Sequence, residues 1–237
     1  MSVPVVAVVA TAGVSAFHFS VPCIIFGQAL PEPDRFFLRI CAETPGIVQS
    51  DAGMQIHVEN GLELLEIASI IIVPFWSHPE EEPAPALLKA LQDAWVRAAE
   101  VVGLCLGTYV LAYAGLLDNR RAATHWEYKR DFTGRFPTVR LDTNALYIND
   151  ERLITSAGTA AGIDCCLNIV RAHYGSAFAN RVARRMVMPP YREGGQAQYI
   201  ERPVPETTRD SVVNELTGYL RRNLERPHNI DSLAKFC

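Results

Sequence analysis

Gly103-Leu104-Cys105-Leu106-Gly107 is the stretch with the clearest chemical potential. An apolar run over 101–104 feeds directly into a helical pattern over 106–116, which puts Cys105 on the turn between them. That is the layout of a nucleophile elbow, with cysteine in place of serine. The flanking glycines suit a sharp turn with close neighbours. Free N–H groups and the positive end of the following helix favour a thiolate there, and would also hold the oxyanion of an acyl intermediate or a small anion. A cysteine merely packed on such a turn gives the same string, so the string argues for a pocket before it argues for catalysis. A cysteine nucleophile needs a base. His18, soon after the first strand, stands where a parallel sheet collects its ligands, and His125, in Thr124-His125-Trp126, is the other candidate. Either could equally be a hydrogen-bonded structural histidine.

Three further residues join this set. Trp76, two residues after Pro74, is placed to wall a pocket or to fill a core. Thr159 lies in the small-residue run 156–162, which reads as a tight strand-to-helix turn; its hydroxyl could meet a ligand or cap its own helix. Asp164 follows that turn, in the stretch Ile163-Asp164-Cys165-Cys166. The basic run Arg181, Arg184 and Arg185 reads as a solvated or dimer-facing surface.

The elements that must carry these residues alternate. Residues 3–9, 36–42, 70–73 and 101–104 are short apolar runs of strand type. Helices are expected over 16–30, 85–100, 106–116 and 127–135, with a short helical turn at 61–66. Residues 49–58 alternate around Asp51-Ala52-Gly53 and predict a small hairpin. Strands are expected at 139–141, 145–148 and 153–155 around a turn at Asn149-Asp150, followed by two helices over 160–174 and 177–187. Strands interleaved with helices predict an α/β fold: a mostly parallel sheet sandwiched by helices. No internal repeat is visible.

The texture changes at Met188. Pro189-Pro190, Gly194-Gly195, Pro203 and Pro205 give residues 189–209 the composition of a linker. Val212, Val213, Leu216, Tyr219 and Leu220 then mark one apolar face of a helix, stopped before Pro227. Asn229-Ile230-Asp231 opens another helix, and Cys237 falls in its first turns, where a whole domain does not end. The expected division is therefore a large domain over 1–188, a linker over 189–209, and an incomplete domain over 210–237.

Bulk properties narrow the classes. The 237 residues are 49% hydrophobic with a net charge of −4, a balance that does not mark this stretch as a nucleic-acid binder by itself. No apolar run is long enough for a membrane span, and the start has no basic signal-peptide region. Six cysteines lie scattered without a C-x-x-C pair. That disfavours a zinc or redox motif and suits reduced thiols in a cytoplasm.

Residues 1–188 resemble the ThiJ/PfpI branch of the class I glutamine-amidotransferase-like superfamily, in the form fused to AraC-type regulators. The resemblance rests on Phe17-His18-Phe19-Ser20-Val21-Pro22-Cys23, the elbow at Cys105, residues 114–118, Ala123-Thr124-His125-Trp126 and residues 155–164. Residues 189–198 look like the lead into the DNA-binding domain of such regulators, and residues 230–237 like the start of its first helix-turn-helix. The resemblance implies a flavodoxin-like, amidotransferase-like sensor that pairs as a homodimer and binds a small, often nitrogen-containing metabolite near the elbow. Cys105, His18, Leu106, Trp76, His125 and Thr159 are the residues expected to line that site, with no cofactor and no metal. Operator DNA would be met by the C-terminal domain, not by residues within this chain, and no membrane partner is implied. The alternative is a cysteine enzyme of the same fold, such as an isonitrile hydratase, amidase or glyoxalase-like protein, using Cys105. A third reading is a scaffold that only dimerises. Departures from enzymatic relatives weigh against catalysis. Leu106 stands where PfpI-type peptidases carry histidine, and His18 lies near the place where Cys–Glu relatives carry an acid. The two His-x-Glu strings, His57-Val58-Glu59 and His78-Pro79-Glu80, both precede Cys105, whereas in glutamine amidotransferases that pair follows the cysteine.

Overall fold

The computed structural model describes residues 3–189 and 192–195, with isolated positions between 216 and 233. Residues Met1–Gln198 and Tyr199–Cys237 form two compact units.

In the first unit, β1 (Val5–Val9) leads into α1 (Ala16–Cys23). Pro22 has no N–H to return to the carbonyl one turn back, and the chain continues as a wider π turn over Ile24–Gln28. The single helix expected over 16–30 is thus two segments. Then come β2 (Phe37–Cys41), β3 (Gly46–Gln49), β4 (Gln55–Val58), β5 (Ile70–Val73), α2 (Pro85–Val96), β6 (Glu100–Leu104), α3 (Gly107–Tyr113), β7 (Arg121–Ala122), α4 (Lys129–Arg135), β8 (Arg140–Leu141), β9 (Tyr147–Asp150), β10 (Leu153–Ser156) and α5 (Ala160–Arg185). The hairpin formed by β3 and β4 is antiparallel, as the alternation predicts. The helix expected over 85–100 stops at Val96 because Glu100 is taken into β6, opposite Ile70. The turn expected at Asn149-Asp150 falls one step later. Asp150 pairs with Leu153, and Glu151 turns the chain at φ 61°. The two helices expected after residue 160 meet inside α5 at Gly175, whose φ of 80° and ψ of 169° no helix tolerates.

The main sheet runs β2-β1-β5-β6-β10-β9. Its pairs are parallel except β10 with β9. The four-residue run Ile70-Ile71-Ile72-Val73 shows why both faces must be covered. Ile71 and Val73 enter one apolar cluster with Leu87, Leu91, Tyr109 and Val110 from α2 and α3. Ile70 and Ile72 enter the other, with Val21 and Ile25 from the α1 segment and Cys166, Ile169 and Val170 from α5. Adjacent strand residues point to opposite faces, so an uninterrupted apolar strand fits only a sheet between two helical layers. No helix among the described residues is long and apolar enough to cross a membrane.

Residues 192–195 also belong to this unit. The Leu146 and Tyr147 amides donate to the Gly194 carbonyl at 2.6 and 3.3 Å. The Tyr147 hydroxyl donates to the Arg192 carbonyl at 3.2 Å. The Arg192 guanidinium grips Asp164 with two hydrogen bonds, at 3.0 and 2.5 Å. In the second unit, Leu216, Tyr219, Leu220, Arg222 and Leu233 are helical. The rest of the expected linker and most of the expected terminal domain lie outside the described residues.

Candidate functional site at the Cys105 elbow

Cys105 follows the last residue of β6 and stands at φ 52°, a left-handed conformation that a residue with a Cβ adopts only under constraint. The constraint is visible on all sides. The Cys105 amide donates to the Ser156 carbonyl on β10 at 2.9 Å. Its carbonyl accepts from the Thr124 hydroxyl at 2.8 Å. The Thr108 hydroxyl, in the first turn of α3, donates to the Gly103 carbonyl at 3.2 Å and the Ala123 carbonyl at 3.0 Å. Two glycines let the backbone close in. A Cβ on Gly107 would stand 2.0 Å from the Val73 carbonyl oxygen, and one on Gly158 would stand 2.1 Å from the Cys105 Cβ and 2.6 Å from its Sγ.

That second contact brings the turn before α5 to the thiol. Gly158 has φ 80°, and Thr159 next to it has φ 47° and ψ −127°. Thr159 does not cap α5: its hydroxyl donates to the Gly158 carbonyl at 2.8 Å, and no side chain caps the helix. Its amide instead donates to His18 Nε2 at 3.0 Å. His18 is buried. Its ring lies 5.0 Å from that of Phe75 at 31° between planes. Burial, with a smaller contribution from nearby His125, pushes its pKa down to about 4. His18 Nδ1 is buried and has no hydrogen-bond partner among the described residues.

His125 adjoins Thr124 and so stands beside the elbow. Its ring stacks on Trp126, and its Nδ1, also buried without a hydrogen-bond partner among the described residues, lies 3.7 Å from Glu127 Oε2. Leu106 is buried, and its backbone N–H favours the thiolate form of Cys105. Trp76 is turned to a neighbouring cleft. Its indole N–H donates to the Glu81 carbonyl at 3.0 Å, and it lines a space of about 490 Å³ with Thr11, Glu43, Gln49 and Ser77. Cys105 and His18 are not among the residues lining that cleft. The loops are joined all the same, since the Thr11 hydroxyl donates to the Phe75 carbonyl at 3.2 Å.

Burial works against the thiolate that the turn and the helix end would favour. Burial pushes the Cys105 thiol up to about 12, partly opposed by the Leu106 N–H, with Glu127 adding a smaller rise. His18 does not offer itself as the base, because its Nε2 is engaged by Thr159. Arg181 and Arg185 are tied down: Arg181 pairs with Glu32 at 2.7 Å and Arg185 donates to the Leu30 carbonyl. Phe75 and Thr108 shape the site without having stood out in the sequence, whereas Ser156 and Gly158 lie in the small-residue run that marked the turn. For the first two, a threonine one turn after the cysteine was the only local signal. For metals, among the described residues His78, Glu80 and Glu81 bring one donor atom each within 4.8 Å of one another, all three exposed.

A sequence model described as the DJ-1/PfpI family matches residues 5–172, and the chain belongs to that family. Among its relatives is a protein named HTH-type transcriptional regulator ArgR from Pseudomonas aeruginosa, 33% identical over 159 residues, 66% of this chain and 48% of that protein. The chain therefore spans about half the length of that relative. An isonitrile hydratase from Pseudomonas putida is 28% identical over 176 residues, 71% of this chain and 70% of that enzyme. Among solved structures, an AraC family transcriptional regulator from Pseudomonas putida superimposes with a TM-score of 0.69 at 23% identity, over 77% of this chain and 99% of that one. The family thus holds proteins named as regulators and proteins named as enzymes.

Proposed function

We propose that this chain is the ligand-sensing part of a transcription regulator, binding a small metabolite at the Cys105 elbow and acting on DNA through a helix-turn-helix domain. The observation that carries this reading is the state of the elbow. Cys105 is buried, which favours its neutral thiol, and His18 spends its Nε2 on the Thr159 amide. A nucleophile needs a base within reach, whereas a binding pocket needs only shape and unsatisfied polar groups. The likeness to proteins named as transcriptional regulators points the same way. On this reading the protein is a cytoplasmic homodimer, residues 1–188 sense, and 189–209 connect them to the DNA-binding part.

Coupling between ligand and DNA requires an element with two arrangements that the ligand biases. The grip of Arg192 on Asp164 is suited to this. Asp164 lies in the first turns of α5, five residues after Thr159, so a shift of the Gly158-Thr159 turn would be felt where the connecting segment is fastened. The test is a thermal-shift screen of the purified protein, with mass spectrometry on each hit and operator binding by the full-length protein. A compound that stabilises the protein, returns unchanged and alters operator affinity supports the sensor. The second reading is a cysteine enzyme, favoured by the strained elbow and the isonitrile hydratase relative. Turnover of a hit that disappears in Cys105→Ala would establish it.

A further inference from the structure

We infer that the elbow site takes a small ligand bearing a carbonyl or carboxylate oxygen, and that this oxygen accepts a hydrogen bond from His18 Nδ1–H. The inference rests on the reading of the elbow as a ligand site and names the chemistry of that ligand.

The tautomer of His18 follows from its partner. The Thr159 amide donates to Nε2 at 3.0 Å, and a ring nitrogen that accepts an N–H carries no proton of its own. A neutral imidazole then bears its proton on Nδ1. The ring is neutral at pH 7, since burial suppresses its charged form. Nδ1 is thus a donor, and it is buried with no hydrogen-bond partner among the described residues, on a side chain only 8% exposed. Buried donors are nearly always satisfied, and one that is not signals a missing acceptor. Phe75 covers the ring face at 5.0 Å, so an in-plane acceptor is what the site lacks.

The second histidine narrows the chemistry. His125 is close enough for its charge to lower the proton affinity of His18. Its Nδ1 is also buried, and Glu127 at 3.7 Å lies beyond hydrogen-bond reach. A carboxylate would accept from His18 Nδ1–H with one oxygen and leave the other for a second donor. A primary amide would accept from His18 with its oxygen and donate to His125 with its nitrogen, or offer that N–H elsewhere. Both ligands share the acceptor oxygen at His18.

The experiment is long-range ¹H–¹⁵N NMR on the full 237-residue chain labelled at histidine, titrated with acetate and, separately, with acetamide. His18→Gln and His125→Gln assign the ring signals, and each variant checks the other if one does not fold. The expected result is a His18 ring protonated at Nδ1, whose Nδ1 signal moves saturably with at least one probe. Acetate alone would assign a carboxylate, acetamide alone a neutral carbonyl. A His18 ring protonated at Nε2, or an Nδ1 signal that neither probe moves, would overturn the inference. Operator binding is measured independently, so failure here leaves the regulator reading standing, and failure of that reading leaves a His18 response standing.

Discussion

His18 makes its presence measurable through pH. Folded, it takes a proton only near pH 4; unfolded, near 6.5. The unfolded state therefore binds more protons as pH falls through that window, and stability is lost on acidification. The expected loss is about 2 kcal/mol at pH 5 and about 3 kcal/mol once complete. Urea midpoints at neutral pH and at pH 5 should show this slope in the native chain and a flatter one in His18→Gln. Equal slopes would mean that the imidazole is not held neutral. Cys105 gives a second handle. A thiol pushed up to about 12 and 4% exposed has little thiolate near neutrality. Iodoacetamide should label Cys105 at least about tenfold more slowly in the native chain than in urea. Rapid native labelling would return the thiolate to consideration.

Between elements, the site is held by close backbone approach. Gly158→Ala would place a Cβ against the Cys105 side chain at a left-handed φ, and Gly107→Ala would place one against the Val73 carbonyl. Each should cost about 3 kcal/mol or more, because neither neighbour is free to move. Gly134→Ala, on exposed α4 with nothing within 4 Å, should instead gain about 0.5–1 kcal/mol from helix propensity. Denaturant melts of the three variants test the contrast, and a well-tolerated Gly158→Ala would contradict the packing described. The Arg192 grip is tested locally. Asp164 is 5% exposed, and its side chain loses its bidentate cation in Arg192→Ala. An unpaired buried carboxylate is costly, so the segment should release. Hydrogen exchange at the Leu146 and Tyr147 amides, which donate to Gly194, should then accelerate while amides of β5 stay protected.

For the whole molecule, two helical layers on a parallel sheet bring the β10–α5 turn, the β6–α3 elbow and α1 to one end, the carboxyl end of the strands where such sheets bind ligands. A ligand there that selects one state of a regulator should change operator affinity by roughly 5–150-fold, the usual range of such coupling. Arg192→Ala should reduce that change while leaving thermal stabilisation by the same compound in place. A full-length Arg192→Ala protein whose operator response is undiminished would remove the grip from the coupling route.

The sequence by itself determined the layered architecture, because all-apolar runs such as 70–73 can be buried only between two helical layers, and alternating elements require crossovers. It also determined the elbow, since an apolar strand, a glycine pair and a helical pattern leave Cys105 no other place than the turn. It placed His18 near the site through its position after the first strand, and offered His125 as the other candidate base. What only the tertiary structure decided depends on groups far apart in the chain. Burial of Cys105 among several elements favours its neutral thiol, and the tautomer of His18 is set by an amide 141 residues away. Thr159 is a backbone donor and not a cap because the turn it occupies is bent to meet Cys105. Trp76 faces a neighbouring cleft, a matter of side-chain direction that no spacing records. Periodicity reports which face of an element is apolar; which polar atoms meet across the sheet end depends on the packing of all the elements at once.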